Sequence, residues 1–306
     1  MLAFSTCWNS ARHTKGEEMI EEILRLGFDT IELSHGVRIT LLEGVRKIYE
    51  RGDVRISSLH NFCPLPVEVT TASPNCYQYT SHVRTERERA VRLTRQTIDW
   101  AARFQAAFVV LHLGSVPMPA VTDQLADLIL AGKQFTREFT QKKLAAVRER
   151  EAKGPMYVQR ASIALKAVAA YAAERNIYLG IESREAYEEI PNEREMLPIL
   201  EDVNSPYVGY WHDFGHAQRK ANLSFLDHYE WLSSMRHRIF GCHLHDTIWP
   251  DRDHNVPFAG SIPFDRLVPL IPPRTLFTWE LSPRRQVEEI QQARKKWLEK
   301  FPETAE

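Results

Sequence analysis

Two histidines and an aspartate fall within four residues of the stretch R-I-F-G-C-H-L-H-D-T at 238–247. The stretch is rich enough in β-branched and aromatic residues to form a short strand. Alternation then sends His243 and His245 to one face and Leu244 to the other. Both imidazoles can thus enter one cavity, and histidine is the commonest metal-binding side chain. For one histidine taken alone, a core residue bonded to a neighbour is the default. Five further apolar segments end in the same way, at His60, His112, Glu182, Asp213 and Glu280. Strands of valine, leucine, isoleucine and phenylalanine converging on one mouth cannot hold so many carboxylates and imidazoles without a compensating cation. A metal site is therefore expected. Oxygen and nitrogen donors without thiolate suit manganese, cobalt, zinc or magnesium, and the donor types alone do not choose among them.

Positioning these residues together requires the right elements around them. Hydrophobic periodicity predicts eight strands, at 2–7, 29–33, 54–60, 107–113, 177–182, 207–213, 238–245 and 275–281. Helices are predicted between them at 15–26, 40–50, 86–104, 162–175, 193–200, 223–235, 264–271 and 285–300. A charged helical insertion is expected within 117–153, as a solvated outer layer. Residues 61–81, with prolines at 64, 66 and 74, read as a long loop able to cover a site. The segment A-F-V-V-L-H-L at 107–113 is apolar on both faces, as in a buried parallel sheet. Eight strands alternating with helices, without a composition break, predict a single-domain α/β chain over residues 1–306, a closed (β/α)8 TIM barrel. Active sites of that fold lie at the C-terminal strand ends.

Composition narrows the classes. Lysine and arginine number 39 against 40 acidic residues, so bulk charge asks for neither nucleic acid nor an anionic membrane. Four scattered cysteines without C-x-x-C spacing read as reduced thiols. With no signal-like start and no window of membrane-spanning length, a soluble cytoplasmic protein is expected. A homo-oligomer is compatible with all of this.

The ends I-E-S-R (181–184), H-D-F-G-H-A (212–217), C-H-L-H-D (242–246) and W-E-L (279–281) resemble the xylose isomerase-like barrel superfamily, which contains sugar-phosphate isomerases, epimerases and endonuclease IV-type enzymes. The resemblance spans essentially the whole chain. It implies Glu182, Asp213, His243 and Glu280 as metal ligands, with Glu182 and Glu280 also exchanging a proton with substrate. S-L-H-N (58–61), H-L-G-S (112–115) and His216 match positions that bind additional zinc in the nuclease branch. In this chain His60, His112 and His216 are expected to contact substrate or water instead. The loop D-R-D-H-N-V-P-F-A-G-S-I (251–262) carries Asp251, Asp253 and His254, the last two expected to bind substrate, but departs from the family pattern, with Ala259-Gly260 where a Gly-x-Gly is usual.

Arg184 points to the side of Glu182 and either binds a hydroxyl or phosphate or holds that carboxylate. His245 is placed in the substrate cavity, and Asp246 is read as a partner steadying a ligand. Glu32 and His35 either line the pocket or bond a loop. Trp8, Phe62, Trp211 and Trp249 form either an apolar wall for a sugar face or core. The leading expectation is a divalent-metal-dependent isomerase or epimerase of a sugar or sugar derivative, working through a metal-stabilised enediolate. The alternatives are an endonuclease IV-like zinc phosphodiesterase on abasic DNA, and a ligand-binding barrel without turnover.

Overall fold

The eight apolar segments form eight parallel strands: β1 (Leu2–Ser5), β2 (Thr30–Leu33), β3 (Arg55–His60), β4 (Phe108–Leu111), β5 (Tyr178–Glu182), β6 (Val208–Asp213), β7 (Ile239–Leu244) and β8 (Leu276–Trp279). In this computed structural model, which describes residues 1–305, they close in sequence order, with β1 paired to both β2 and β8. The (β/α)8 barrel expected from the sequence is the fold observed. Every strand but β1 begins one residue after its apolar run, and β1, β4, β7 and β8 also stop one or two residues early, where the last residues leave the ladder and turn into the mouth.

The lower interior is filled by Ala3, Val110, Trp211 and Leu276. Trp211 fits because its neighbours across the ladder lack side chains. A Cβ on Gly180 would lie 2.7 Å from its ring, and one on Gly241 would lie 2.3 Å away. Filling this layer with carbon closes the barrel below the polar ends, so the convergent carboxylates and imidazoles sit on an apolar floor.

Around the ring lie α1 (Gly16–Arg25), α2 (Ile39–Glu50), α3 (Arg84–Arg103), α4 (Val121–Leu130), α5 (Arg137–Ala173), α6 (Glu193–Val203), α7 (Phe214–Asn222), α8 (His228–Met235), α9 (Phe264–Leu267) and α10 (Val287–Lys300). Each buries one stripe, as α1 does with Met19, Ile20 and Ile23. Two segments differ from expectation. The insertion and the alanine-rich helix after it are joined in α5, which runs through Pro155. Proline leaves the Glu151 carbonyl without its helical donor, but Glu151 and Pro155 are both exposed, so water can take its place. The second difference is α7, which lies wholly in the connection expected between the strand ending at 213 and the helix starting at 223. It starts directly after Asp213, is nine residues long, and buries even the polar His216, Arg219, Lys220 and Asn222, so its polar face is not a solvent face.

Three irregular pieces frame the mouth. Residues 61–81 form a loop without helix or strand, as expected. Gly114–Ser115 pairs antiparallel with Glu189–Ile190, and Asp246–Ile248 pairs with Arg252–Asn255. All four cysteines are unpaired. No helix among the described residues is long and apolar enough to cross a membrane.

Candidate active site

Four strands deliver one donor each to a common point. Ligand atoms of Glu182, Asp213, His243 and Glu280 all lie within 4.8 Å of one another, and all four residues are buried. The imidazole Nδ1 of His243 is 3.4 Å from Glu182 Oε1, 3.3 Å from Glu280 Oε2 and 3.7 Å from Asp213 Oδ2. Atoms that share one ion at about 2.1 Å are separated by about this much. Glu182 Oε1 and His243 Nδ1 are also buried without a hydrogen-bond partner. Orphaned acceptors facing one point, beside two more carboxylates, are costly unless a cation stands among them. These residues therefore fit a divalent ion.

His243 is aimed by a residue from the far side of the ring. Its Nε2 is 3.2 Å from Glu32 Oε2, which also accepts from Ser58 Oγ at 2.9 Å. A carboxylate on Nε2 keeps the proton there and turns the Nδ1 lone pair to the other ligands. Glu32 is thus a supporting residue, neither a loop bond nor a pocket wall. Replacing it by leucine is expected to weaken Mn2+ binding about ten- to hundredfold. Calorimetric titration checks this, and an unchanged affinity would remove Glu32 from the support.

Glu182 sits at the centre of four histidines. His60 Nε2 is 3.0 Å and His112 Nε2 2.8 Å from its Oε2, and His216 Nδ1 is 3.2 Å from Oε1. Burial by itself would raise the Glu182 pKa, but His112 and His243 foremost hold it well below the usual carboxylate range. Burial likewise pulls His216 down, yet Asp213 and Glu182 lift it to about 10. His112 goes the other way. Burial and then the Arg184 guanidinium push it down to about 3.

Asp213 has two duties. Its carboxylate caps α7 by accepting from the His216 backbone N–H at 2.7 Å, and it takes the Nε2 proton of His245 at 3.0 Å. His245 Nδ1 accepts from the His254 backbone N–H at 2.8 Å. His245 is fully buried behind Asp213 and does not line the cavity, so it steadies a ligand instead of meeting substrate. Asp246, expected to steady a ligand, accepts backbone N–H groups of Thr247, Gly260 and Ile262 and fixes the loop after β7.

Above these donors is a cavity of about 420 Å3, within the range of small-molecule sites. His35, His60, His112, Glu182, Arg184, His216, His254 and Glu280 line it. His35 Nδ1 is buried without a partner, an unused nitrogen at the cavity. Arg184 is pinned by Glu189, whose Oε1 accepts from Nε at 3.2 Å and from Nη2 at 2.7 Å. Its Nη1 meets His112 Nε2, while His112 Nδ1 is 3.0 Å from Asn75 Oδ1 of the long loop. Glu189 and Asn75 are absent from the predicted set. Neither ends a barrel strand, and only their buried partners mark them. Asp253 lies behind the lining, grouped with Glu185 and His216 within 4.8 Å. Trp8, Phe62 and Trp211 are core, and Trp249 is 46% exposed outside the cavity lining.

No curated protein matches this chain significantly. Solved structures do. A D-tagatose 3-epimerase-like protein superposes with a TM-score of 0.69 at 18% identity, over 100% of this chain and 99% of that one. D-Allulose 3-epimerase from Methylomonas sp., in complex with D-allulose, gives 0.65 at 15% identity over 99% and 96%. The IOLI protein with a bound zinc atom gives 0.68 at 13% over 99% and 98%. At such identities the likeness speaks for the fold alone. The sequence profile described as xylose isomerase-like TIM barrel matches residues 20–301. That match takes in every strand from β2 to β8 and all four converging donors, and by it the chain belongs to the xylose isomerase-like TIM barrel family.

Proposed function

We propose that this protein is a divalent-metal-dependent isomerase or epimerase that moves a proton within a sugar or sugar derivative. The observation that carries the reading is the convergence of three carboxylates and one imidazole, without thiolate, at the floor of a sugar-sized cavity. A divalent ion held by Glu182, Asp213, His243 Nδ1 and Glu280 supplies the Lewis acidity that makes a hydrogen beside a carbonyl removable.

The remaining work falls to the side chains. Glu182 and Glu280 end strands three places apart in the ring, so they approach a sugar between them from two sides. One carboxylate takes the proton, and the other returns it. His216 turns Nδ1 toward the Ser183 carbonyl at 3.1 Å and keeps Nε2 for a substrate hydroxyl. Arg184 has N–H groups beyond those bonded to Glu189 and His112, and its fixed guanidinium orients the sugar. His35 Nδ1, His60, His112 and His254 complete the polar wall. The D-allulose bound by the Methylomonas relative makes unphosphorylated ketohexoses the first substrates to try.

A zinc phosphodiesterase for abasic DNA draws on a different observation. His60, His112 and Glu182, and separately Glu185, His216 and Asp253, form two more donor groups within 4.8 Å. The balance of 39 basic against 40 acidic residues weighs against a polyanionic substrate. Both activities can be assayed on one preparation supplied in turn with Mn2+, Co2+, Zn2+ and Mg2+. A panel of ketoses is expected to yield an epimer or isomer, and an abasic-site oligonucleotide to stay intact. Cleavage without any sugar turnover would favour the phosphodiesterase.

A further inference from the structure

Outside the barrel wall, between β6, α7 and α8, a line of polar side chains is not part of the cavity. Trp231 Nε1 donates to the Tyr210 hydroxyl at 2.9 Å, and that hydroxyl is 2.8 Å from His212 Nδ1. His212 Nε2 is 3.2 Å from His228 Nε2, and His228 Nδ1 is 2.9 Å from Gln218 Oε1. Gln218 Nε2 donates to Asn222 Oδ1 at 2.8 Å, and Asn222 Nδ2 donates to the Pro250 carbonyl at 2.8 Å. Tyr210, His212, His228 and Asn222 are buried, so water cannot substitute for a missing partner.

The Pro250 end fixes the protons along the line, and the Trp231 end is compatible with it. An indole N–H only donates, so the Tyr210 oxygen accepts there, and its hydrogen goes either to His212 Nδ1 or to the Ser183 hydroxyl beside it. In the first case His212 carries its ring proton on Nε2. From the other end, a carbonyl only accepts, so Asn222 presents its amino group to Pro250 and its oxygen to Gln218. Gln218 in turn presents its oxygen to His228, which must carry its proton on Nδ1. The facing nitrogens are therefore one N–H and one lone pair. The Pro250 end thus puts the lone pair on His228 and the N–H on His212, which leaves His212 Nδ1 to accept the Tyr210 hydrogen, and burial, which pushes His228 down to about 3, agrees with a neutral ring.

The relay ends on α7. That helix is capped by Asp213 and carries His216 against Glu182, and Gln218 and Asn222 are its attachment to β6, α8 and the Trp249–Pro250 loop. We propose that His228 is a positioning residue whose one-way relay holds α7, and through it Asp213 and His216, in the geometry that binds the ion. This rests on the proposed metal-dependent function for its purpose, but not for its wiring.

The wiring can be read without any sugar. In 15N-labelled protein, ring-coupled NMR is expected to give the Nε2–H tautomer for His212 and the Nδ1–H tautomer for His228. The reverse tautomers, or an imidazolium at neutral pH, would overturn the relay. The role is read by Mn2+ titration, following the free ion by electron paramagnetic resonance. His228→Leu leaves the buried His212 N–H and the half-buried Gln218 amide oxygen without partners, and should weaken Mn2+ binding about tenfold. His228→Gln can accept with its oxygen and donate with its amide, so it should restore binding to within about twofold. Equal loss in both variants, or none in His228→Leu, would overturn the positioning role, and the tautomers in the parent protein remain decisive if His228→Leu does not fold. Failure of every ketose assay would refute the proposed reaction and leave these readouts standing.

Discussion

Replacing Glu182 or Glu280 by glutamine is expected to reduce turnover by about a thousandfold or more, within the range for losing a general acid or base. Each change keeps the side chain's shape and, on the proposed reaction, removes both a charge that would hold the ion and the oxygen that would exchange the proton. Glu182→Gln should be the more severe. Its carboxylate meets His60, His112, His216 and the donor nitrogen of His243, whereas Glu280 lies at 3.3 Å from His243 alone among those four. Circular dichroism and rate measurements on the same samples separate this from unfolding. Variants that kept a native spectrum and rates within tenfold of the parent would remove both residues from proton transfer.

Dialysis against a chelator is expected to remove one divalent ion per chain and with it all activity, which Mn2+ should restore. The number one follows from how the other donor groups are held. His60, His243 and Glu280 share two residues with the central group, and in His216, His245 and His254 both ring nitrogens of His245 are bonded, to Asp213 and to the His254 backbone N–H. Arg184 meets His112 Nε2, a donor of the His60, His112 and Glu182 group. A doubly charged ion about 4 Å from that guanidinium would be repelled by on the order of 8 kcal/mol at an effective dielectric constant near 20. The Glu185, His216 and Asp253 group is compromised in the same way, because Arg219 Nη1 holds Glu185 at 3.0 Å. In the central group Arg184 comes within 3.7 Å of Glu182 Oε1 alone; Asp213, His243 and Glu280 meet no arginine among the described residues, and Glu182 Oε1 and His243 Nδ1 keep no hydrogen-bond partner. Elemental analysis before and after dialysis checks the count. Three ions per chain would mean that the arginines move aside.

The barrel was legible in the sequence because parallel strands buried on both faces leave near-continuous apolar runs. The polar residue ending each run was conspicuous for the same reason. The four converging donors could thus be named from strand ends and family resemblance, and the structure brings them together. Supporting residues were less visible. Glu32 meets His243 across 211 positions of chain, and Glu189 sits on a short connection where a carboxylate is unremarkable until Arg184 is seen against it. His245 was misjudged because strand alternation sets a side chain's face but not its depth. His245 is the first residue past the ladder, and the loop after β7 folds over it. The helix α7 is hard to see in the sequence because it follows β6 without a connecting residue and is only nine residues long, with Gly215 in its first turn, yet it carries His216 and one end of the relay.

Proton transfer on the sugar is tested most directly by incubating the Mn2+-loaded protein with a ketohexose in D2O and following the product by NMR. The expected result is an epimer or isomer carrying deuterium at the carbon whose configuration or oxidation level changed, with no product from Glu182→Gln. Loss of all sugar turnover across the ketose panel, with cleavage of abasic-site DNA by the same preparation, would contradict it.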